Sequence, residues 1–185
     1  MYKIVIMNGK PCSGKTTFEE LCGIFCTTYL YSTIDPIKEV AKKIGWKGTK
    51  DKEDRIFLSE LKQISKKYNN FPVEWVKNQI ETTINDYANV GIDIEDKYKK
   101  VIFFVDCRET KEIEELKSIL PNVVTAVIVR DKNINTDNYA DVDNINPNEY
   151  DYDYYIPNED GIGDLKTKAE IFCNLIFEER SKWLT

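Results

Sequence analysis

The chain is 185 residues long (21.6 kDa), with 42% hydrophobic and 31% charged residues, a net charge of −6 and a pI near 4.9. That length supports one well-buried core and is too short for two ordinary domains with a linker, so a single domain spanning 1–185 is expected. So acidic a chain lacks the basic surface that releases counterions from a polyanion, which argues against binding to polymeric nucleic acid.

In chain order, "YKIVIM" from Tyr2 to Met7 is a continuous apolar run ended by Asn8-Gly9, the pattern of a buried strand meeting a loop. Phe18, Leu21, Cys22, Phe25 and Cys26 then recur at helical spacing and predict a helix reaching about Tyr29. A second strand is read in "LYSTI", ended by Asp35-Pro36. Three helical patterns follow, carried by Ile37, Val40, Ala41 and Ile44, by Phe57, Leu61, Ile64 and Tyr68, and by Val73, Val76, Ile80, Ile84 and Tyr87. Pro72 suits the first turn of the last of these, where its missing N–H costs nothing.

"VIFFVDC" is the most strand-like run in the chain, followed by a short helix through Ile113, Leu116 and Leu120 and by the strand "VVTAVIV". Asn and Asp then occupy 11 of the 21 positions from 133 to 153, a composition that favours a mobile polar loop. A calcium loop is excluded there, because Ile145 falls where an oxygen ligand is required and Asn146 where the turn glycine belongs. The strand "DYYI" and a helix through Leu165, Ala169, Phe172, Cys173, Ile176 and Phe177 close the series.

Apolar strands alternating with amphipathic helices predict an α/β fold, a mostly parallel sheet covered on both faces, with ligands beyond the carboxyl ends of the strands. Histidine is absent and Cys12, Cys22, Cys26, Cys107 and Cys173 form no CxxC pair, which argues against zinc. No signal-like segment precedes the first strand and no apolar run reaches membrane-spanning length, so a cytoplasmic location away from membranes is expected.

The chemistry concentrates in two places. "GKPCSGKT", from Gly9 to Thr16, has the GxxxxGK[ST] spacing of a Walker A loop, with a predicted strand before it and a helix after it. Such a loop turns backbone N–H groups toward phosphate oxygens at the positive end of a helix, so Gly9, Lys10, Pro11, Cys12, Ser13, Gly14, Lys15, Thr16 and Thr17 are read as the cradle for ATP. Lys15 is expected at the β and γ phosphates and the Thr16 hydroxyl on Mg2+. Cys12 is either a small spacer or a thiol in a positive environment.

The second place is "VIFFVDCRE". Asp106, at the end of a buried strand, either orients magnesium-bound water or caps the next helix. Arg108, two residues on, either meets phosphate or forms a surface ion pair with Glu109 or Glu112. Helical patterns fill 35–99, where an acceptor would bind, and that insertion favours transfer of the phosphoryl group over simple hydrolysis.

With these residues in place, the chain resembles a P-loop kinase of the nucleoside monophosphate kinase group, and within it the phage-type deoxynucleoside monophosphate kinases. The carriers are "GKPCSGKTT", "STIDPIKEVAKKIGW", "KDKEDRIFLSELK", "FVDCRE", "NYADVDN" and "YDYYIPNEDGIGDLK". The resemblance implies a three-layer α/β/α fold with a five-stranded parallel sheet in order 2-3-1-4-5, a helical acceptor-binding region over 35–99 and a lid over 131–149. It implies γ-phosphoryl transfer from ATP to a (deoxy)nucleoside monophosphate by a monomer or homodimer.

By the same resemblance, Asp35, Lys38, Arg55 and Arg108 become acceptor-site candidates, Trp46 a base-stacking candidate, Arg130 a lid-root arginine that joins Lys15 and Arg108 in catalysis, and Asn158 an adenine contact. Each has an ordinary reading beside it: helix capping for Asp35, a solvated face for Lys38 and Arg55, a half-buried helix end for Trp46, and a turn for Asn158. The segment 131–149 departs from adenylate kinase-like lids, since Lys132 is its one lysine and it has no arginine.

Two rivals remain distinct from this reading. A P-loop kinase for another phosphorylated or hydroxylated metabolite would need a base such as Asp35 if its acceptor were a neutral hydroxyl. A nucleotide-binding switch is disfavoured, because the chain has no NKxD motif and "DCRE" lacks the glycine of a DxxG switch.

Overall fold

The computed structural model describes residues 1–49, 51–96, 98–130, 150–159 and 161–178. The expected lid, 131–149, lies outside them. Five strands, β1 (Tyr2–Gly9), β2 (Thr27–Ser32), β3 (Val101–Asp106), β4 (Val123–Val129) and β5 (Tyr154–Pro157), alternate with six helices, α1 (Lys15–Cys22), α2 (Asp35–Lys43), α3 (Lys52–Asn69), α4 (Phe71–Asn89), α5 (Thr110–Ile119) and α6 (Ile162–Leu175).

All strand pairs are parallel and the sheet order is β2-β3-β1-β4-β5, as expected. β1 lies at the centre and is buried on both faces, which is why its sequence reads as an unbroken apolar run. Successive side chains of a strand point to opposite faces. Val5 and Met7 therefore join a core with Phe18, Leu165, Phe172 and other residues of α1 and α6, while Ile4 and Ile6 join one with Val73, Val76 and Ile80 of α4 and Ile113 and Leu116 of α5. Two helical layers thus sandwich the sheet, and the rings of Phe18 and Phe172 meet edge-on at 5.4 Å between centroids. Burying a side chain of that size contributes about 2–3 kcal/mol.

One expected element is corrected. The helix predicted to reach Tyr29 ends at Cys22: Ile24 and Phe25 make tight bonds back to Leu21 and Cys22 (3.1 and 3.0 Å), and β2 begins at Thr27. Helical spacing of Phe25 and Cys26 loses to the ladder that β2 forms with β3, where Thr27 aligns with Val101 and Ser32 with Asp106. The Thr-Thr-Tyr start of β2 has the β-branched and aromatic chemistry of a strand.

The three helices between β2 and β3 occupy the expected region. α3 is capped by Asp51, which accepts from the Asp54 N–H at 2.8 Å. Asn70, in the left-handed region (φ 54°), both ends α3 and starts α4, and Pro72 sits in the first turn of α4. No residue of α3 is fully buried, in contrast to α2 and α4. Among the described residues no helix is long and apolar enough to cross a membrane.

Candidate active site

The strand-loop-helix unit around "GKPCSGKT" is built at the centre of the sheet. β1 ends at Gly9, α1 begins at Lys15, and the loop between them carries positive φ at Cys12 (60°) and Gly14 (98°). Gly9 is required by close approach, since a Cβ there would stand 2.7 Å from both Ile128 Cγ2 and Ser13 Oγ. At Gly14 the left-handed backbone and the crowding Asn158 amide exclude a side chain together. Cys12 adopts a conformation costly for a non-glycine residue, and it is exposed.

Gly14 offers α1 no side-chain cap, and the first turn of α1 holds no acidic residue. The backbone N–H groups at that end therefore have no anionic partner from their own helix, which suits a phosphate. Lys10 and Thr16 are exposed beside them, Pro11 and Thr17 half-buried, and the buried Ser13 Oγ has no hydrogen-bond partner among the described residues.

Lys15 reaches across to β3, where its ammonium bonds Asp106 Oδ2, and Glu19 Oε1 stands 3.9 Å from the same nitrogen. Asp106 is not a helix cap, since α5 begins after Glu109 and has no side-chain cap. Among the described residues Asp106 Oδ1 and Glu19 Oε1 are buried without hydrogen-bond partners. Burial, and then the charge of Asp106, push the Glu19 carboxyl up to about 8 against the opposing pull of Lys15. Glu19 had been passed over in the sequence. Its signal was position: four residues after Lys15 and three before the core Cys22.

Two buried asparagines hold the loop from either side. Asn8 accepts from the Gly9 N–H (2.7 Å) and donates to the Tyr152 hydroxyl (2.7 Å) and the Arg108 carbonyl (3.3 Å). It joins the start of the phosphate loop, the β3–α5 turn and the chain just after the expected lid. Asn158 donates to the Ser13 carbonyl at 2.7 Å, while its own N–H donates to Val129 at 2.8 Å. The structure thus engages the Asn158 side chain with the loop backbone. Arg130 follows β4 on the same rim, and its buried Nε has no hydrogen-bond partner among the described residues.

Of the acceptor-side candidates, Asp35 and Lys38 follow the end of β2 at the start of α2, Arg108 follows the end of β3, and Arg55 lies in the first turn of α3. Ser32 and Asp106 are level in the ladder, and the Thr33 N–H and Ser32 Oγ donate to the Asp106 carbonyl at 3.2 and 3.3 Å. Asp35 opens α2 without capping it and is ion-paired to Lys38 at 3.1 Å, both half-exposed. Trp46 is half-buried, and its indole N–H donates to Asp54 of α3 at 2.7 Å, which joins the end of α2 to the helix that carries Arg55.

Glu112, one of the two glutamates in the alternative surface ion pair for Arg108, is completely buried. Glu109 and Glu112 bond Lys62 of α3 at 3.0 and 2.8 Å. Lys62 and Thr33 are not singled out by sequence, because no spacing within α3 announces a partner fifty residues away.

No family model matches the chain, and no curated protein matches it. Among solved structures, a sugar kinase from a Janibacter species resembles it at 13% identity, covering 94% of this chain and 95% of that one with a TM-score of 0.46. An uncharacterized protein from Eubacterium ventriosum does so at 14% identity over 94% and 98%, with a TM-score of 0.43. Likenesses so distant carry no argument about chemistry, which is drawn from the chain's own residues.

Proposed function

We propose that this chain is a phosphotransferase that moves the γ-phosphoryl group of ATP to a (deoxy)nucleoside monophosphate. The observation that carries this reading is the pairing of Lys15 with Asp106 beside a loop whose helix end lacks any anionic cap. In phosphoryl transfer the protein contributes position and charge neutralisation and little covalent chemistry, so a site without histidine is adequate.

Lys15 leaves Asp106 to meet the β and γ phosphates, while the amides from Gly9 to Thr17 hold the triphosphate. Arg130, with an unpartnered Nε, supplies a cation from the lid root, and Arg108 serves the acceptor phosphate or the transferred group. Asp35, Lys38 and Arg55 bind the acceptor from α2 and α3, with Trp46 against its base and Asn158 at the donor end.

The Thr16 hydroxyl and the unpartnered Asp106 Oδ1 fit a magnesium ion that also binds phosphates and water, a cation that takes few protein ligands. When bound, magnesium neutralises phosphate charge.

A monophosphate acceptor brings its own anionic nucleophile and needs no strong base. A hydroxyl acceptor would need one, and Asp35 on the rim favours that second reading of a small-metabolite kinase. The test is ATP consumption with a panel of nucleoside monophosphates and hydroxylated metabolites. Product from a nucleoside monophosphate is the expected result; turnover with another acceptor alone overturns the nucleotide reading, and no ATP-dependent transfer at all overturns both.

A further inference from the structure

Between α3 and the ends of β2 and β3 lies a buried ionic cluster. Glu112 Oε2, on a side chain with no exposure, accepts from the Thr33 hydroxyl (2.9 Å), the Lys62 ammonium (2.8 Å) and the Cys107 thiol (3.1 Å). Lys62, only 12% exposed, also bonds Glu109 (3.0 Å), and Lys66, one turn on, lies 3.4 Å from Glu109, 3.8 Å from Glu112 and 3.7 Å from Glu115. Removing such charges from water is costly and usually stabilises no more than apolar packing would, so the cluster calls for a reason other than stability.

Its connections supply one. Thr33 stands two residues before Asp35, Cys107 one before Arg108 and Glu109 one after it, and Lys62 lies two helical turns, about 10 Å, beyond Arg55 on α3. A single carboxylate therefore touches the helix that carries Arg55, the residue before Arg108 and the Thr33 that precedes Asp35. α3 has no fully buried residue, so apolar burial does little to fix its distance from the strand ends. A directional ion pair, its Glu112 Oε2 engaged by three donors, does what that packing leaves undone.

We infer that Lys62 and Glu112 are positioning residues for the acceptor, forming a fixed pivot that sets how far α3 stands from the β2 and β3 rim. The inference rests on the phosphotransferase reading above. Neither residue is assigned contact with the acceptor; both act through the placement of Arg55, Arg108 and Asp35. The donor end is built on β1, α1 and β5; Cys107 meets β1 through its backbone N–H, which donates to the Met7 carbonyl (3.2 Å), while Lys62 and Glu112 bond no residue of β1, α1 or β5 among the described residues.

The experiment compares wild type, Lys62→Met and the double variant Lys62→Met/Glu112→Gln by thermal denaturation and by steady-state kinetics with a nucleoside monophosphate and ATP. Lys62→Met leaves the buried Glu112 carboxylate with only the longer 3.8 Å contact to Lys66 and lowers the melting temperature. The double variant removes both charges while Gln still accepts from Thr33, so it regains most of that loss.

The expected result is that the double variant, though stable, keeps an acceptor KM raised by about tenfold while its ATP KM stays within about twofold of wild type. If the double variant recovers acceptor KM together with stability, or if both KM values rise alike, the cluster is structural and the inference is overturned. Wild-type protein that neither binds nor phosphorylates any nucleoside monophosphate overturns the acceptor reading, and this inference with it. Wild-type turnover with an acceptor KM untouched in both variants overturns the inference alone.

Discussion

The side-chain amide of Asn158, at the end of β5, donates a 2.7 Å hydrogen bond to the carbonyl of Ser13 inside the phosphate loop. Two segments 145 residues apart are thereby fixed to each other, and the same amide packs where Gly14 has no side chain. Asn158→Ala should leave a buried carbonyl unsatisfied and cost about 1–3 kcal/mol of stability. The accompanying loss of loop order should weaken ATP binding severalfold. Chemical denaturation with and without ATP measures both, and wild-type values in each would contradict the clamp.

Lys15→Met removes the cation that stands between Asp106 and Glu19. A charge-assisted contact is worth about 1.5–3 kcal/mol, which at 1.4 kcal/mol per decade predicts roughly a 10- to 100-fold loss of magnesium-ATP affinity by calorimetry. Equal uptake by variant and parent would remove the basis for the donor site.

Asn8 joins the loop, the Arg108 turn and Tyr152 through one buried amide. In Asn8→Ala the Gly9 N–H and the Tyr152 hydroxyl both lose their partner. The expected cost is about 1–3 kcal/mol, together with faster hydrogen exchange in residues 8–15 and 150–153. Unchanged exchange at Tyr152 would show that the amide does not couple the two segments.

The cluster on α3 gives stability a pH dependence. Burial alone would raise the Glu109 carboxyl, but the ammonium groups of Lys62 and then Lys66 outweigh it and hold it below the usual carboxylate value. Its contribution is therefore complete above the unfolded value near 4.5 and is lost as pH falls through the lower folded value. Burial lowers Lys62, yet Glu112 and Glu109 raise it further, so its contribution holds below 10.5 and is lost at more alkaline pH. The Glu109 and Lys62 contributions to the melting temperature should stay level near neutrality and the Glu109 part fall on the acid side, so Glu109→Gln should lessen that acid limb, beside the separate decline with rising pH between 4.5 and about 8 that the raised Glu19 carboxyl imposes. An identical acid limb in the variant would rule out the assignment.

Much of the fold was legible because the central strands are continuous apolar runs and the helices carry 3.6-residue stripes, so alternation alone dictates a covered parallel sheet. The strand-loop-helix at Gly9–Thr16 was legible because glycine at crowded or left-handed positions has a backbone cause. The end of α1 was not: Phe25 and Cys26 keep helical spacing, and only pairing of Thr27 with Val101, across 74 residues, decides against it. Glu112 was illegible for a related reason. A glutamate in a charged helix reads as solvent-facing until the lysine that neutralises it arrives from a distant helix. Asn8 was passed over because it looked like the end of a strand, which it also is.

β1 occupies the middle of the sheet, yet its hydrogen-bonded neighbours begin at Val101 and Val123. During synthesis the first hundred residues leave the ribosome as a strand without a ladder, beside helices with no surface to cover. Contacts of such long sequence separation form slowly, so β1 and β2 stay without a shared neighbour until β3 slots between them. Ribosome-bound chains stopped at residue 100 should accordingly be digested readily by protease, and chains extended past 178 should resist.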